Sequence, residues 1–327
     1  ENTEITRSII NNMAQSDYFD IVNDVNTLNA YRGDTPLQDT RSLLQSGRVN
    51  FVLTIPSGFS KAWVRGEKPS LLLEADATDP AAAAMAVAQI KPIVDRTLAD
   101  IQIGSLDYLK PKPSSITTLV HNKYNPEGIS QFNIVPGLLG VILTMTMVMI
   151  TSIAMTREAE RGTMENLLAM PSKPLEVMIG KITPYVLMGL VQTMIILLAS
   201  NMLFHLPFVG SGSTFGLGVG LFILVNLAIG FTFSTIAKAQ MQAMQLTFFF
   251  FLPSMLLSGF MFPFQGMPKW AQYLGEILPL THFLRIVRGI MLKGTSLSLL
   301  SNEFLALLAI LIIVGIIAML RYRQTLD

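Results

Sequence analysis

The densest set of residues capable of chemistry lies in one short charged segment, residues 157–181. This segment carries eight charged side chains, whereas the apolar runs on either side of it, 134–156 and 182–206, carry none. Each run is long enough to cross a bilayer as a helix, so the charged segment must lie at a membrane surface. Its four Lys and Arg residues indicate the cytoplasmic side, because basic residues near the ends of spans are retained there. We therefore expect the segment to bind a soluble cytoplasmic partner.

The sequence offers little support for catalysis or metal binding. It contains no cysteine, which excludes disulfides, thiolate metal sites and cysteine nucleophiles. Its three histidines, His121, His205 and His282, fall in widely separated segments. The phosphate-binding pattern G-x-x-x-x-G-K-[ST] fails because Lys181 is followed by Ile182. We predict a protein that is not catalytic alone and that binds no cofactor or metal itself.

Composition divides the chain into two unlike parts. The whole sequence is 51% hydrophobic and 14% charged, with a mean hydropathy of +0.50, which is too apolar for an ordinary soluble domain. Residues 1–133 contain 12 Lys and Arg against 15 Asp and Glu, whereas residues 134–327 contain 11 against 7. We predict a water-soluble domain at 1–130 and a transmembrane domain at 131–327. The nearly neutral total charge gives no indication of nucleic-acid binding.

The first domain alternates helix-like and strand-like segments, which favours an open α/β sheet. Its longest predicted helix covers residues 80–103, since Pro80 suits a first helical position and Gly104 suits a helix end. The inner face of this helix is expected to consist of Ile90, Val94 and Leu98.

Apolar runs in the second domain predict five membrane spans: 134–156, 182–206, 215–237, 246–262 and 302–320. Basic residues lie in segment 157–181, at Lys238, and after the last span at Arg321 and Arg323. They predict that residues 1–130 are extracytoplasmic and that the C-terminus is cytoplasmic. The chain starts at Glu1 with no apolar run nearby, so we expect a sixth span upstream, or a cleaved signal peptide, to deliver the first domain.

The segment 263–301 conflicts with this orientation. It contains four Lys and Arg residues, although the count of spans places it outside. An interfacial helix or a re-entrant hairpin would resolve the conflict, with His282, Arg285 and Arg288 facing the lipid headgroups.

The interiors of the five predicted spans contain no Asp, Glu, Lys or Arg. Ion-driven carriers usually keep such groups as relay sites, so we expect energy to enter from outside the membrane plane. The fourth predicted span supplies candidate pathway or gating residues, namely Phe248, Pro253 and Met255. Phe248 and the phenylalanines after it either line a path at a dimer seam or face lipid. Pro253 either permits gating or marks the start of a re-entrant segment.

The charged segment, with its sequence RE-x-ERGTMENLLAMP, resembles the cytoplasmic loop of ABC-2 type exporter permeases. The resemblance is strongest to the drug- or lipid-exporting subfamily with a large extracytoplasmic domain. Other similar stretches follow the family order: YNPE at 124–127 with VPG at 135–137, LPSMLLSG at 252–259, and LPLTHF through RG at 278–289. Together these stretches extend the resemblance over essentially the whole chain.

The resemblance implies six spans, of which the first lies upstream. It also implies a permease dimer, formed with a second copy or a paralogue, and a separate cytoplasmic ABC ATPase subunit that holds ATP and Mg. The charged segment would then form the coupling helix. The residues expected to contact the ATPase subunit are Glu158, Glu160, Arg161, Gly162, Thr163, Glu165 and Leu168.

The chemistry of this segment agrees with such a contact. Gly162 permits a sharp turn, Thr163 can cap the following helix, and Glu165 suits the positive end of that helix. Leu168 belongs to an apolar patch that a partner protein can bury.

We therefore predict the permease subunit of an ATP-driven exporter in the bacterial inner membrane. Its cargo would be hydrophobic or amphipathic small molecules, drug-like or lipid-like, moved out of the cytoplasm or the inner leaflet. A periplasmic adaptor and membrane lipid are further candidate partners. Two alternatives remain open: an ion-driven secondary carrier with an ionisable group in the upstream span, and a membrane receptor whose extracytoplasmic domain binds a ligand.

Overall fold

The computed structural model describes residues 3–16, 19–21, 37–103, 116–160 and 174–321. The chain divides into two compact units, Glu1–Ser130 and Gln131–Asp327. The first unit contains a small sheet, and the second is helical wherever the structure describes regular elements.

The first unit alternates helices with strands. Its helices are α1 (Glu4–Gln15), α2 (Leu37–Gln45), α3 (Phe59–Val64) and α4 (Pro80–Ile103), and its strands are β1 (Phe51–Thr54), β2 (Ser70–Asp76) and β3 (Thr117–Lys123). β1 pairs with β2 in antiparallel fashion, and β2 pairs with β3 in parallel, in the order β1-β2-β3. Helix α4 lies between the two parallel strands in sequence, as parallel pairing requires a crossover. The predicted α/β class is confirmed for the described part of this unit.

Helix α4 begins and ends where the sequence predicts. The Asp79 Oδ1 atom accepts hydrogen bonds from the backbone N–H groups of Ala81 and Ala82, each at 3.2 Å. This cap satisfies donors that have no partner within the helix. Pro80 follows the cap, where its missing N–H costs nothing. The predicted inner face is buried in the core of the unit: Ile90, Val94 and Leu98.

The second unit is a bundle of helices. These are α5 (Ser130–Glu160), α6 (Pro174–Phe204), α7 (Gly212–Ile236), α8 (Gln240–Leu257), α9 (Lys269–Ile277), α10 (Pro279–Lys293) and α11 (Ser301–Arg321). A short 3-10 turn, Phe264–Gly266, precedes α9.

Within the described residues, four stretches are long and apolar enough to cross a membrane: Ser130–Glu158, Ile182–Phe204, Gly212–Ile236 and Ser301–Arg321. They correspond to four of the five predicted spans. The chain is therefore a polytopic helical membrane protein. In the most apolar part of α7, 67% of the residues are buried inside the unit, compared with 17% in α6 and α11. Helix α7 is thus an interior helix, and α6 and α11 leave most of their apolar surface for lipid or another protein.

The remaining predicted span, 246–262, has different bounds in the structure. Helix α8 starts earlier, at Gln240, and already ends at Leu257. Its first two turns include the polar residues Gln240, Gln242 and Gln245, which make it less apolar than the predicted run. The chain turns sharply after the helix because Gly259 adopts a left-handed backbone conformation with φ +86°.

Close contacts bring α5, α7 and α10 together. The Phe222 ring of α7 stacks on the Phe283 ring of α10, with centroids 3.9 Å apart and planes 5° apart. Gly230 allows α7 to approach α5, because a Cβ atom at this position would lie 2.7 Å from the Val148 carbonyl oxygen. Small residues at helix crossings permit this kind of packing in membranes.

Candidate functional site

The charged segment 157–181 is partly helical at both of its ends. Helix α5 runs to Glu160, and α6 begins at Pro174. Of the residues predicted to contact an ATPase subunit, the structure describes two, Glu158 and Glu160, in the last turn of α5. The others lie outside the described residues: Arg161, Gly162, Thr163, Glu165 and Leu168.

Glu160 fastens the end of α5 to the start of α8. Its Oε1 atom accepts a hydrogen bond from the backbone N–H of Gln240 at 2.8 Å. Its Oε2 atom accepts a second one from the Gln240 side-chain amide at 2.5 Å. The sequence does not reveal this contact, because Gln240 lies 80 residues from Glu160 and no local pattern relates the two.

Helix α8 carries the three candidate pathway residues. Phe248 and Pro253 are exposed on the surface of the chain, and Met255 packs, half-buried, against the core of the bundle. The helix continues through Pro253 to Leu257 instead of breaking at the proline. A role for these residues in a transport pathway remains a prediction.

A second polar cluster, which we call the α10 network, consists of Glu276, His282, Arg285 and Glu303. It forms at a tight corner between α9 and α10, where the Thr281 hydroxyl donates a hydrogen bond to the Gly275 carbonyl at 2.6 Å. The corner brings Glu276 of α9 next to the first turns of α10, and Glu303 lies in the first turn of α11. The network therefore links three helices.

His282 lies at the centre of the α10 network and is only 5% exposed. Its Nδ1 atom is 2.6 Å from Glu303 Oε2, and its Nε2 atom is 2.9 Å from the Glu276 carbonyl oxygen. An ionised Glu303 carboxylate and the carbonyl oxygen both accept, so this arrangement favours the imidazolium form, in which both ring nitrogens donate.

The pKa of His282 agrees with this assignment. Burial by itself lowers the pKa of the imidazole, but the hydrogen bonds to the Glu303 carboxylate and the Glu276 carbonyl raise it, together with the negative charge of Glu303. The net result is a pKa above the ordinary histidine value.

Arg285 supplies the second positive charge of the network. Its Nη2 atom donates to Glu276 Oε1 at 2.5 Å, and its Nη1 atom donates to Glu303 Oε1 at 3.3 Å. The guanidinium carbon also lies 4.7 Å from the centre of the Phe264 ring. Two cations and two carboxylates thus balance one another, which is the condition under which partly buried charges are tolerated.

Arg288, one turn further along α10, ties that helix to the turn after α8. Its Nη1 atom donates a hydrogen bond to the Gly259 carbonyl at 3.1 Å. The guanidinium approaches α5 as well, because a Cβ atom at Gly137 would lie 3.6 Å from Arg288 Nη2.

The placement of His282, Arg285 and Arg288 at the lipid headgroups stays a prediction. Within the chain, each of these side chains contacts a protein acceptor. Two of the acceptors are the carboxylates of Glu276 and Glu303, which belong to other helices. Glu303, in the first turn of the last apolar helix, is the sequence feature that indicates its pairing with His282 and Arg285, because a charge at the end of a span needs a partner.

The fold and these sites define a class: a polytopic helical membrane protein with an N-terminal α/β unit and a charged segment between two spanning helices. The chain belongs to the ABC-2 transporter family, because residues 1–320 match the family model described as ABC-2 family transporter protein. The resemblance noted in the sequence is therefore confirmed.

Curated relatives agree with this assignment. The chain is 30% identical over 287 residues to the probable multidrug ABC transporter permease YbhR of Escherichia coli (strain K12), covering 88% of this chain and 77% of the relative. It is 31% identical over 291 residues to the inner membrane transport permease YhhJ of the same strain, and the match covers 86% of this chain and 75% of that relative. It is also 27% identical over 215 residues to the ABC transporter G family member 20 of Dictyostelium discoideum, and this match covers 64% of this chain and 29% of that relative. No solved structure matches the chain.

Proposed function

We propose that this chain is the membrane subunit of an ATP-driven exporter for hydrophobic or amphipathic small molecules. The observation that carries the proposal is the family match over residues 1–320. The printed names of two relatives, a probable multidrug ABC transporter permease and an inner membrane transport permease, support transport as the activity and the inner membrane as the location.

An apolar cargo is favoured by the chemistry of the spans. Lys, Arg, Asp and Glu are missing from the interiors of the apolar runs, so the spans offer no charged group to bind a polar ion. Much of the surface of α6 and α11 is apolar and exposed in the single chain. A drug-like or lipid-like molecule taken from the cytoplasm or the inner leaflet would find compatible surface there.

A separate ATPase subunit is the proposed source of energy. The charged segment 157–181 lies between two spanning helices and offers charges for a soluble partner. In this proposal ATP and Mg bind to that subunit, two permease copies or paralogues form the path, and motion of the charged segment is passed to the spans. Residues 1–130 lie outside the cytoplasm, where an adaptor protein could meet them, and the C-terminus lies inside.

Co-purification tests this function. The double variant Gly162→Ala with Glu165→Ala should lose most of the association between the permease and an ATPase subunit, together with the stimulation of ATP hydrolysis. A matched control is Gly212→Ala with Glu67→Ala, because Gly212 has open space around its Cα and Glu67 is exposed in the other unit.

Unchanged association and turnover in the segment variant would contradict the proposed docking surface. Vesicles that accumulate cargo on an ion gradient with the full-length permease alone would instead support a secondary carrier and overturn the function proposed here.

A further inference from the structure

The contact between Glu160 and Gln240 has the geometry of a helix cap supplied by another helix. Gln240 is the first residue of α8, and its backbone N–H is one of the four at a helix start that lack an intrahelical acceptor. The residue before it, Ala239, has no side-chain oxygen that could accept this hydrogen bond. Glu160 of α5 provides the acceptor instead, and its Oε2 atom also holds the Gln240 side chain.

The charge of Glu160 adds to this cap. The N-terminus of a helix carries a partial positive charge, so a carboxylate there is favourable. The neighbouring backbone N–H of Lys238 is satisfied from within α8, since Gln242 Oε1 accepts its hydrogen bond at 2.8 Å. Glu160 and Gln242 together complete the start of α8.

A second polar contact joins the same two helices deeper in the bundle. The hydroxyl oxygens of Ser152 and Thr247 are 3.1 Å apart, and both residues are fully or almost fully buried. Ser152 precedes Glu160 by two turns of α5, and Thr247 follows Gln240 by two turns of α8. The two helices therefore run antiparallel along this contact and are joined at two levels.

We propose that Glu160 is the positioning residue that transmits movement of the charged segment 157–181 to α8. Glu160 is the last residue of α5 and immediately precedes Arg161, where the RGTMENLLAMP motif begins. A displacement of this motif would pull on the start of α8 through the carboxylate, while the Ser152–Thr247 contact keeps the helices in register. The proposal rests on the exporter function, and it gives the exposed Glu160 carboxylate a role in holding α8 instead of in the ATPase contact.

An exchange of the two side chains tests the proposal. Glu160→Ala alone removes both acceptors of the contact, and Gln240→Glu alone places two carboxylates together. The double variant Glu160→Gln with Gln240→Glu restores one amide and one carboxylate in reversed positions. The measurements are association with the ATPase subunit, ATP turnover, and cargo moved per ATP in reconstituted vesicles of the full transporter.

Each single variant should keep the ATPase subunit bound and lose roughly fivefold in cargo moved per ATP, as expected for loss of one capping contact in a coupled system. The double variant should recover most of that loss. A merely structural contact would lower the amount of folded protein without changing the ratio of cargo to ATP.

Two outcomes would overturn the proposed role of Glu160. Wild-type coupling in Glu160→Ala would show that the contact transmits nothing. Loss of ATPase association in Glu160→Ala, with normal behaviour of Gln240→Leu, would make Glu160 a docking residue. Failure of the exporter function itself is distinguishable, because then no ATPase subunit would bind to the wild-type protein.

Discussion

The Nδ1 atom of His282 lies 2.6 Å from Glu303 Oε2, and this contact joins α10 to the start of the last spanning helix. The imidazole is nearly inaccessible to solvent, and a carbonyl occupies its other nitrogen. The ring donates to both acceptors only in its protonated form, and a neutral ring keeps just one of the two hydrogen bonds.

Stability should therefore depend on pH through His282. The pKa of His282 is raised in the folded state. Its contribution to the free energy of unfolding is therefore fully present below about pH 6.5, the pKa of histidine in the unfolded chain. This contribution is lost as the pH rises through the pKa of His282 in the folded state. The thermal midpoint of the wild type in detergent should exceed that of His282→Asn at low pH. This difference should shrink above the folded pKa, and a difference independent of pH would contradict the imidazolium assignment.

Removal of the partner carboxylate should be costly. Glu303→Ala leaves a buried imidazolium and Arg285 without one of their acceptors, so we expect a loss of about 2 kcal/mol in the free energy of unfolding. Glu67→Ala is the control, since Glu67 is exposed in the other unit. Denaturant titration in detergent provides the measurement, and equal stability of the two variants would rule out a stabilising role for the network.

The approach of α7 to α5 predicts different effects for two glycines on the same helix. Gly230→Ala forces a Cβ atom to within 2.7 Å of the Val148 carbonyl oxygen, whereas a Cβ atom at Gly216 meets nothing within 4 Å. The first change should destabilise the protein by about 1–3 kcal/mol, and Gly216→Ala should be neutral or slightly stabilising. Thermal midpoints of the two variants compare them directly, and similar values would contradict the described crossing.

The stacked rings of Phe222 and Phe283 give a further prediction. Phe222 is fully buried, so Phe222→Ala should cost about 3–5 kcal/mol through lost burial and a cavity. Phe249→Ala is the matched control, because that ring is 76% exposed in the single chain. Yields of folded protein after detergent extraction should fall only for the first variant. A similar fall for both would indicate that Phe249 is covered in the assembled protein.

The large features of the fold could be predicted from the sequence because they depend on local composition. Four apolar runs correspond to spanning helices, and Pro80 marks the start of α4. The run 246–262 predicts a span that ends later than helix α8 does, because the apolar residues continue past Gly259. The helix itself ends at Leu257, shortly before that glycine turns the chain.

The polar contacts were harder to predict, since each joins residues distant in the sequence. The ion pairs of Arg285 and His282 are not visible in the sequence, because their carboxylate partners belong to other helices. The contact of Glu160 with Gln240 is not visible either, because nothing near Glu160 in the sequence indicates the start of α8. Only three-dimensional packing reveals these pairs.

Pro253 has a mechanical consequence for α8. Proline has no N–H, so the Phe249 carbonyl lacks the usual intrahelical hydrogen bond at this point, although the helix continues. Bending therefore costs less here than elsewhere along the helix. Pro253 separates the longer first part of α8, which starts at Gln240, from a short second part. The second part ends near Gly259, whose carbonyl accepts a hydrogen bond from Arg288. A displacement of Gln240 can thus tilt the first part of α8 while the second part keeps its contact with Arg288.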